Sequence, residues 1–186
     1  MGPLGCRLGA SGVKPNTITT VSLVISFLGG AAYSIEMPIL GALGILGSGV
    51  FDMLDGAVAR ATGTASRFGA VYDHVLDRYA EFAILIGIGL GKYVDWIWVV
   101  FALFGMVMAS FVRAKAESVG GLKSCTVGIA ERQEKLIIIL IGSFLQPFIA
   151  IALPICVVIV GILSHVTVVQ RLHYTLQQTR GLKVDL

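Results

Sequence analysis

The chain has 186 residues, 56% of them hydrophobic and only 13% charged, with a mean hydropathy of +0.88. A soluble domain carries roughly 25% charged residues, so the composition excludes an ordinary soluble enzyme and points to a protein of the lipid bilayer. The formal charge of +3 is small, so the positions of the basic residues matter more than their sum, and no nucleic acid is expected as a partner.

Roughly twenty residues cross the hydrocarbon core, so this length suits one compact domain of six spans with short connections. Residues 1–14 read as a Gly-rich cytoplasmic lead-in with Arg7 and Lys14, lacking the apolar run of a signal peptide and the Ser or Thr of a myristoylation site. The first span starts at Pro15, with Asn16 or Thr17 as N-cap, and runs to about Tyr33. After a turn at Ser34-Ile35-Glu36-Met37-Pro38, the second runs from about Pro38 to near Arg60. Ala61 to Ser66 is a short connection of small residues. The third helix begins near Arg67, with Gly69, Asp73 and Asp77 in its first half and the uncharged stretch Phe82–Gly91 in its second. Lys92 to Asp95 form the next turn, with Trp96 and Trp98 as interfacial anchors.

The fourth span ends at about Phe111 and leads into Arg113, Lys115 and Glu117. Residues 118–130, rich in Gly, Ser and Thr, read as a loop at the membrane surface. Leu136 to Gln170 is too long for one span. Basic residues at both ends, Arg132, Lys135 and Arg171, require an even number of crossings, with the break at Gln146-Pro147. Residues 15–173 thus form the membrane domain and 174–186 a cytoplasmic tail. Cys6, Cys125 and Cys156 have neither metal-ligand nor disulfide spacing. With the N-terminus inside, every Lys and Arg except Lys92 lies on the cytoplasmic side. The expected fold is an all-α integral membrane protein, a six-transmembrane-helix bundle, multi-pass in the cell membrane, with both termini and the active site cytoplasmic.

The chemistry centres on Asp52, Asp55, Asp73 and Asp77, whose spacings of three and four place each pair on one helix face. A charged residue at mid-bilayer costs about 2.5–3.5 kcal/mol on insertion scales, so four would cost on the order of 10 kcal/mol if left in lipid. Arg60 and Arg78 offset part of this. Four converging carboxylates with almost no His or Cys suit a hard divalent cation, Mg²⁺ or Mn²⁺. Two such ions about 4 Å apart would clamp a diphosphate. Structural ion pairs, or a cation or proton relay in a transporter, are the other readings. Gly56 beside Asp55 and Gly69 one turn before Asp73 favour the first, because they clear the backbone for a phosphate or nucleotide.

The stretch Asp52-x2-Asp55-Gly56-x2-Ala59-Arg60-x8-Gly69-x3-Asp73-x3-Asp77 resembles, without gap or substitution, the signature of the CDP-alcohol phosphotransferases. The resemblance implies an integral membrane enzyme that transfers a phosphoalcohol unit from a CDP-linked lipid to a hydroxyl acceptor and releases CMP. It implies metal ligation by Asp52, Asp55 and Asp73, with Asp77 as metal neighbour and general base. Gly56, Ala59, Arg60, Ser66 and Gly69 would contact the CDP group, and Pro15, Asn16, Thr17, Ile18 and Thr19 would border the nucleotide or its lipid. The family usually carries an amphipathic surface helix before the first span; the lead-in here is short and Gly-rich, so that helix is expected to be either missing or truncated at its start. Homologues commonly pair as homodimers, and archaeol or diacylglycerol tails would present equally apolar chains.

The acceptor rests on a second cluster. Ser110-Phe111-Val112-Arg113-Ala114-Lys115-Ala116-Glu117 and Ala130-Glu131-Arg132-Gln133-Glu134-Lys135 place four cations at the cytoplasmic ends of the fourth and fifth helices, and Arg171 can join them. Such a group suits a dianionic phosphate, or anchors the chain at lipid headgroups. Arg113 and Lys115, two residues apart, cannot share one face of a regular helix. The pattern is similar to that of phosphatidylinositol-phosphate synthases and their archaeal counterparts, with the two cations exchanged and Phe111 in place of Tyr. It implies inositol 1-phosphate as acceptor, held by Ser110, Arg113, Lys115, Arg132 and Arg171. A phosphatidylglycerophosphate synthase using glycerol 3-phosphate is the alternative within the family.

Overall fold

The computed structural model describes residues 12–180. Cys6, Arg7 and the rest of the lead-in before residue 12, and residues 181–186 of the expected tail, lie outside the described residues. The described residues form six helices: α1 (Pro15–Ser34), α2 (Pro38–Thr62), α3 (Arg67–Leu90), α4 (Trp96–Ser118), α5 (Arg132–Leu145) and α6 (Ala152–Thr179).

Local chemistry sets the helix ends. Pro15 takes the first helical position of α1, where its fixed φ fits and its missing N–H costs nothing. Lys14 is therefore the N-cap, without a side-chain bond, and Asn16 and Thr17, expected as caps, lie inside the helix. α2 runs past Arg60 to Gly63, whose φ of +66° suits glycine and whose N–H bonds to the Ala59 carbonyl. Ser66 caps α3 by accepting a hydrogen bond from the Gly69 N–H at 2.9 Å. α4 continues to Ser118 and so includes Arg113 and Lys115. The break at Gln146-Pro147 separates α5 from α6 as expected, and Gln146 closes it by donating to the Ala150 carbonyl at 3.0 Å.

The protein is built for a membrane, but among the described residues four helices rather than six are long and apolar enough to cross one: α1, α2, α4 and α6. α3 has 24 residues, with Arg67, Asp73, Asp77, Arg78 and Glu81 crowded into its first part. α5 has 14 residues, or roughly 21 Å at 1.5 Å per residue, short of a core about 30 Å thick.

The chain divides into two compact units, one formed by residues up to Tyr93 with Ser143–Ala150, the other by Val94–Gly142 with the segment from Ile151 onward. In the first, α1 lies antiparallel to α2 and parallel to α3. Glycine pairs set both approaches. A Cβ at Gly44 would sit 2.6 Å from the Gly29 Cα, and one at Gly87 would fall onto the Gly30 carbonyl. Where lipid removes most of the hydrophobic drive between helices, such close backbone packing is what holds them together. At the Ser34 end of α1, Tyr33 is fully buried and its hydroxyl bonds to Ser143. In the second unit α4 packs on α6, where His165 stacks on Phe101 with ring centroids 4.3 Å apart.

Candidate active site

At the Pro15 end of α1 the first unit gathers its acids. Asp52 and Asp55, one turn apart on α2, meet Asp73 from α3, and one carboxylate oxygen from each lies within 4.8 Å of the other two. Asp55 is buried and its neighbours are half-buried. Three like charges at this spacing repel by about 3–4 kcal/mol per pair at an effective dielectric near 20, so the cluster calls for a cation. All donors are hard oxygens, the set that favours Mg²⁺ or Mn²⁺ over softer metals. The three residues therefore fit a divalent ion.

Helix α1 orients these carboxylates. Thr19 Oγ1 donates to Asp55 Oδ2 at 2.6 Å, and Ser22 Oγ, one turn on, donates to Asp52 Oδ1. Both hydroxyls are buried, and such supporting bonds fix the direction in which a ligand oxygen points. Thr19, expected at the nucleotide, bonds to Asp55 and also lines the cleft beside the carboxylates. Ser22 was not expected at all: a hydroxyl in an apolar span is ordinary, and only its i, i+3 relation to Thr19 hints at a shared face. Asp77, one turn beyond Asp73, stands outside the three-carboxylate group, with Oδ2 4.0 Å from Arg78 Nη2. His74 Nδ1 lies 3.7 Å from Asp73 and is largely exposed.

Beside the carboxylates opens a cleft of about 210 Å³. Pro15, Asn16 and Thr19 line it from α1, Asp55, Gly56, Ala59 and Arg60 from α2, and Ser66, Gly69 and Asp73 from the cap and first turns of α3. Thr64, Ala65 and Ala70 also border it, and sequence reasoning had passed over all three. Thr17 and Ile18 are not among the lining residues, and Ile18 packs in the core. The Arg60 guanidinium folds back over Gly56, where a Cβ would stand 3.1 Å from Nη1. A Cβ at Gly69 would crowd Ser66 Oγ and Asn16 Oδ1, at 3.1 and 3.4 Å. The cleft thus combines a guanidinium, the N-terminus of α3 and a glycine-cleared wall, a combination suited to a phosphate.

The second unit carries the basic cluster. Arg113 Nε donates to Glu117 Oε1 at 3.2 Å, and the same oxygen accepts from the Cys125 N–H at 2.9 Å. Lys115 turns elsewhere, its Nζ 5.7 Å from the centre of the Phe111 ring; the two cations occupy different faces, as their spacing demands. Arg171 is buried, donating from Nε to the Val127 carbonyl at 2.9 Å and from Nη1 to the Ala109 carbonyl at 2.7 Å. It thereby ties the loop after α4 to α4 and α6. Arg132 is half-buried and Lys135 buried on α5. Ser110 Oγ bonds back to the Met106 carbonyl at 3.3 Å.

The profile of one family, CDP-alcohol phosphatidyltransferase, matches residues 13–170. An archaetidylinositol phosphate synthase of Pyrococcus horikoshii is 39% identical over 171 residues, 91% of this chain and 87% of its own. Two crystal structures of the phosphatidylinositol phosphate synthase of Mycobacterium tuberculosis are similar throughout. The one with CDP-DAG bound gives a TM-score of 0.89 at 28% identity, covering 100% of this chain and 98% of the other. The one in complex with manganese and citrate gives 0.88 at 30% identity, covering 100% and 92%.

Proposed function

The chain belongs to the CDP-alcohol phosphatidyltransferase family of transferases, and from that premise we propose that it moves the phospholipid moiety of a CDP-linked lipid onto a hydroxyl of inositol 1-phosphate and releases CMP. The observation that carries this reading is the convergence of Asp52, Asp55 and Asp73 beside a cleft walled by Gly56, Arg60, Ser66 and Gly69.

Asp52, Asp55 and Asp73 hold two divalent ions, Mg²⁺ or Mn²⁺, with Asp77 beside them. Bound there, such ions would offset the diphosphate charge and stabilise the departing CMP. Arg60 and the N-terminal turn of α3 hold the CDP phosphates, Gly56, Ala59 and Gly69 leave room for the nucleotide, and Pro15, Asn16, Thr17 and Thr19 border it or its lipid, with Ile18 packed behind them. Asp77 takes the proton from the acceptor hydroxyl as that oxygen attacks the lipid-side phosphorus. The bond from this phosphorus to the bridging oxygen breaks, and CMP leaves with the electron pair. Ser110, Arg113, Lys115, Arg132 and Arg171 bind the acceptor's phosphate. The placement of Lys and Arg supports six crossings, with α3 and α5 as the additional ones and the termini and site on the cytoplasmic side. The working form is a homodimer in the membrane, and its donor carries archaeol or diacylglycerol tails.

Purified protein given a CDP-lipid, Mg²⁺ and labelled inositol 1-phosphate is expected to form labelled lipid and CMP in equal amounts. Consumption of glycerol 3-phosphate with inositol 1-phosphate ignored would assign the acceptor site to a phosphatidylglycerophosphate synthase instead.

A further inference from the structure

One buried acid has no part in the reaction outlined above. Glu81 lies on α3, one turn beyond Asp77, with 1% of its side chain exposed. Nη2 of Arg78 is 2.7 Å from Glu81 Oε1 and 4.0 Å from Asp77 Oδ2. A single guanidinium nitrogen thus forms ion pairs with two carboxylates, close to the deeper one and at longer range to the other. Buried ion pairs seldom stabilise a fold more than apolar side chains of the same volume would. The better account of this one is the position it gives Arg78.

We infer that Glu81 is a positioning residue that holds Arg78 off Asp77. If Glu81 is neutralised, its hold on Arg78 is lost, and a charge-assisted bond from Arg78 to Asp77 would engage the carboxylate that the acceptor hydroxyl needs. The inference rests on the role proposed above for Asp77. It also makes a purely geometric claim that holds without turnover.

The test is Glu81→Gln, with kcat and both KM values measured on the folded, monodisperse fraction. The expected result is a kcat at least tenfold below wild type, KM values for CDP-lipid and inositol 1-phosphate within twofold of wild type, and recovery of at least threefold when Arg78→Gln is added. If Glu81→Gln does not fold, Glu81→Asp, which keeps the charge but falls short of Arg78, is read in the same way. An experimental structure of the variant should place Arg78 within hydrogen-bond distance of Asp77. A folded variant with wild-type kcat, or a loss that removal of Arg78 leaves unchanged, would overturn the inference. If the wild-type protein itself releases no CMP, the proposed reaction fails. The variant structure then decides alone, and an Arg78–Asp77 separation still near 4.0 Å would sink the positioning role.

Discussion

An Asp55→Asn enzyme is expected to release CMP at least about a thousandfold more slowly than wild type. Lewis-acid stabilisation of a developing phosphate charge is worth several kcal/mol, and three decades of rate correspond to about 4 kcal/mol. Asn matches Asp in shape and its amide oxygen can still accept the Thr19 hydroxyl, so the fold is retained and the loss is electrostatic. Asp55 is also the most buried of the three converging acids, which leaves water the least opportunity to substitute for it as a ligand. The check is kcat with saturating CDP-lipid and acceptor, alongside thermal denaturation to show an intact fold. A rate within tenfold of wild type would remove this carboxylate from the reaction.

The second large effect is on assembly. Gly87→Leu is expected to destabilise the protein by more than about 3 kcal/mol, beyond the usual range for overpacked side chains. The added Cβ would meet the Gly30 backbone, which has no rotamer into which it can withdraw. α1 and α3 would have to separate, carrying Thr19 on one and Asp73 on the other away from their present register. Gly49→Leu is the control. Nothing lies within 4 Å of a Cβ there, and leucine is the better helix former, so its melting temperature should match or exceed that of wild type. Equal melting temperatures for the two variants would mean that the glycine contacts do not set the helix spacing.

Much of this site was legible in the sequence because its signals are local. Asp52 and Asp55 share a face by spacing alone, the small residues from Ala61 to Ser66 mark the connection between two helices, and Pro147 breaks a run too long for one span. Position in an apolar chain also signals cost, which is why Asp52, Asp55 and Asp73, near one end of two neighbouring helices, were readable as a cation site. What escaped depends on tertiary register. Gly29 meeting Gly44 and Gly30 meeting Gly87 are decided by how far one helix slides along another, and no periodicity within a single helix encodes that. Ser22 reached Asp52 by the same route. The cap at Asn16 was misplaced for a different reason: a good capping side chain follows Pro15, and the fixed φ of the proline claims the first helical position before Asn16 can act.

The basic cluster shows the limit of reading charge as availability. Arg171 is a cation in the sequence and a candidate phosphate ligand, yet two of its nitrogens are committed to the carbonyls of Val127 and Ala109. Arg113 likewise shares Glu117 with the Cys125 amide. Backbone acceptors are invisible in a motif, so the sequence names these cations without showing what else they hold.

The proposed reaction depends most on a divalent cation at the three converging carboxylates, and Mn²⁺ binding followed by electron paramagnetic resonance tests that without requiring turnover. Wild-type protein in detergent should bind Mn²⁺ saturably, Mg²⁺ should compete it off, and Asp55→Asn should weaken the binding by at least tenfold. Binding of equal strength in both proteins, or no saturable binding in the wild type, would contradict the account.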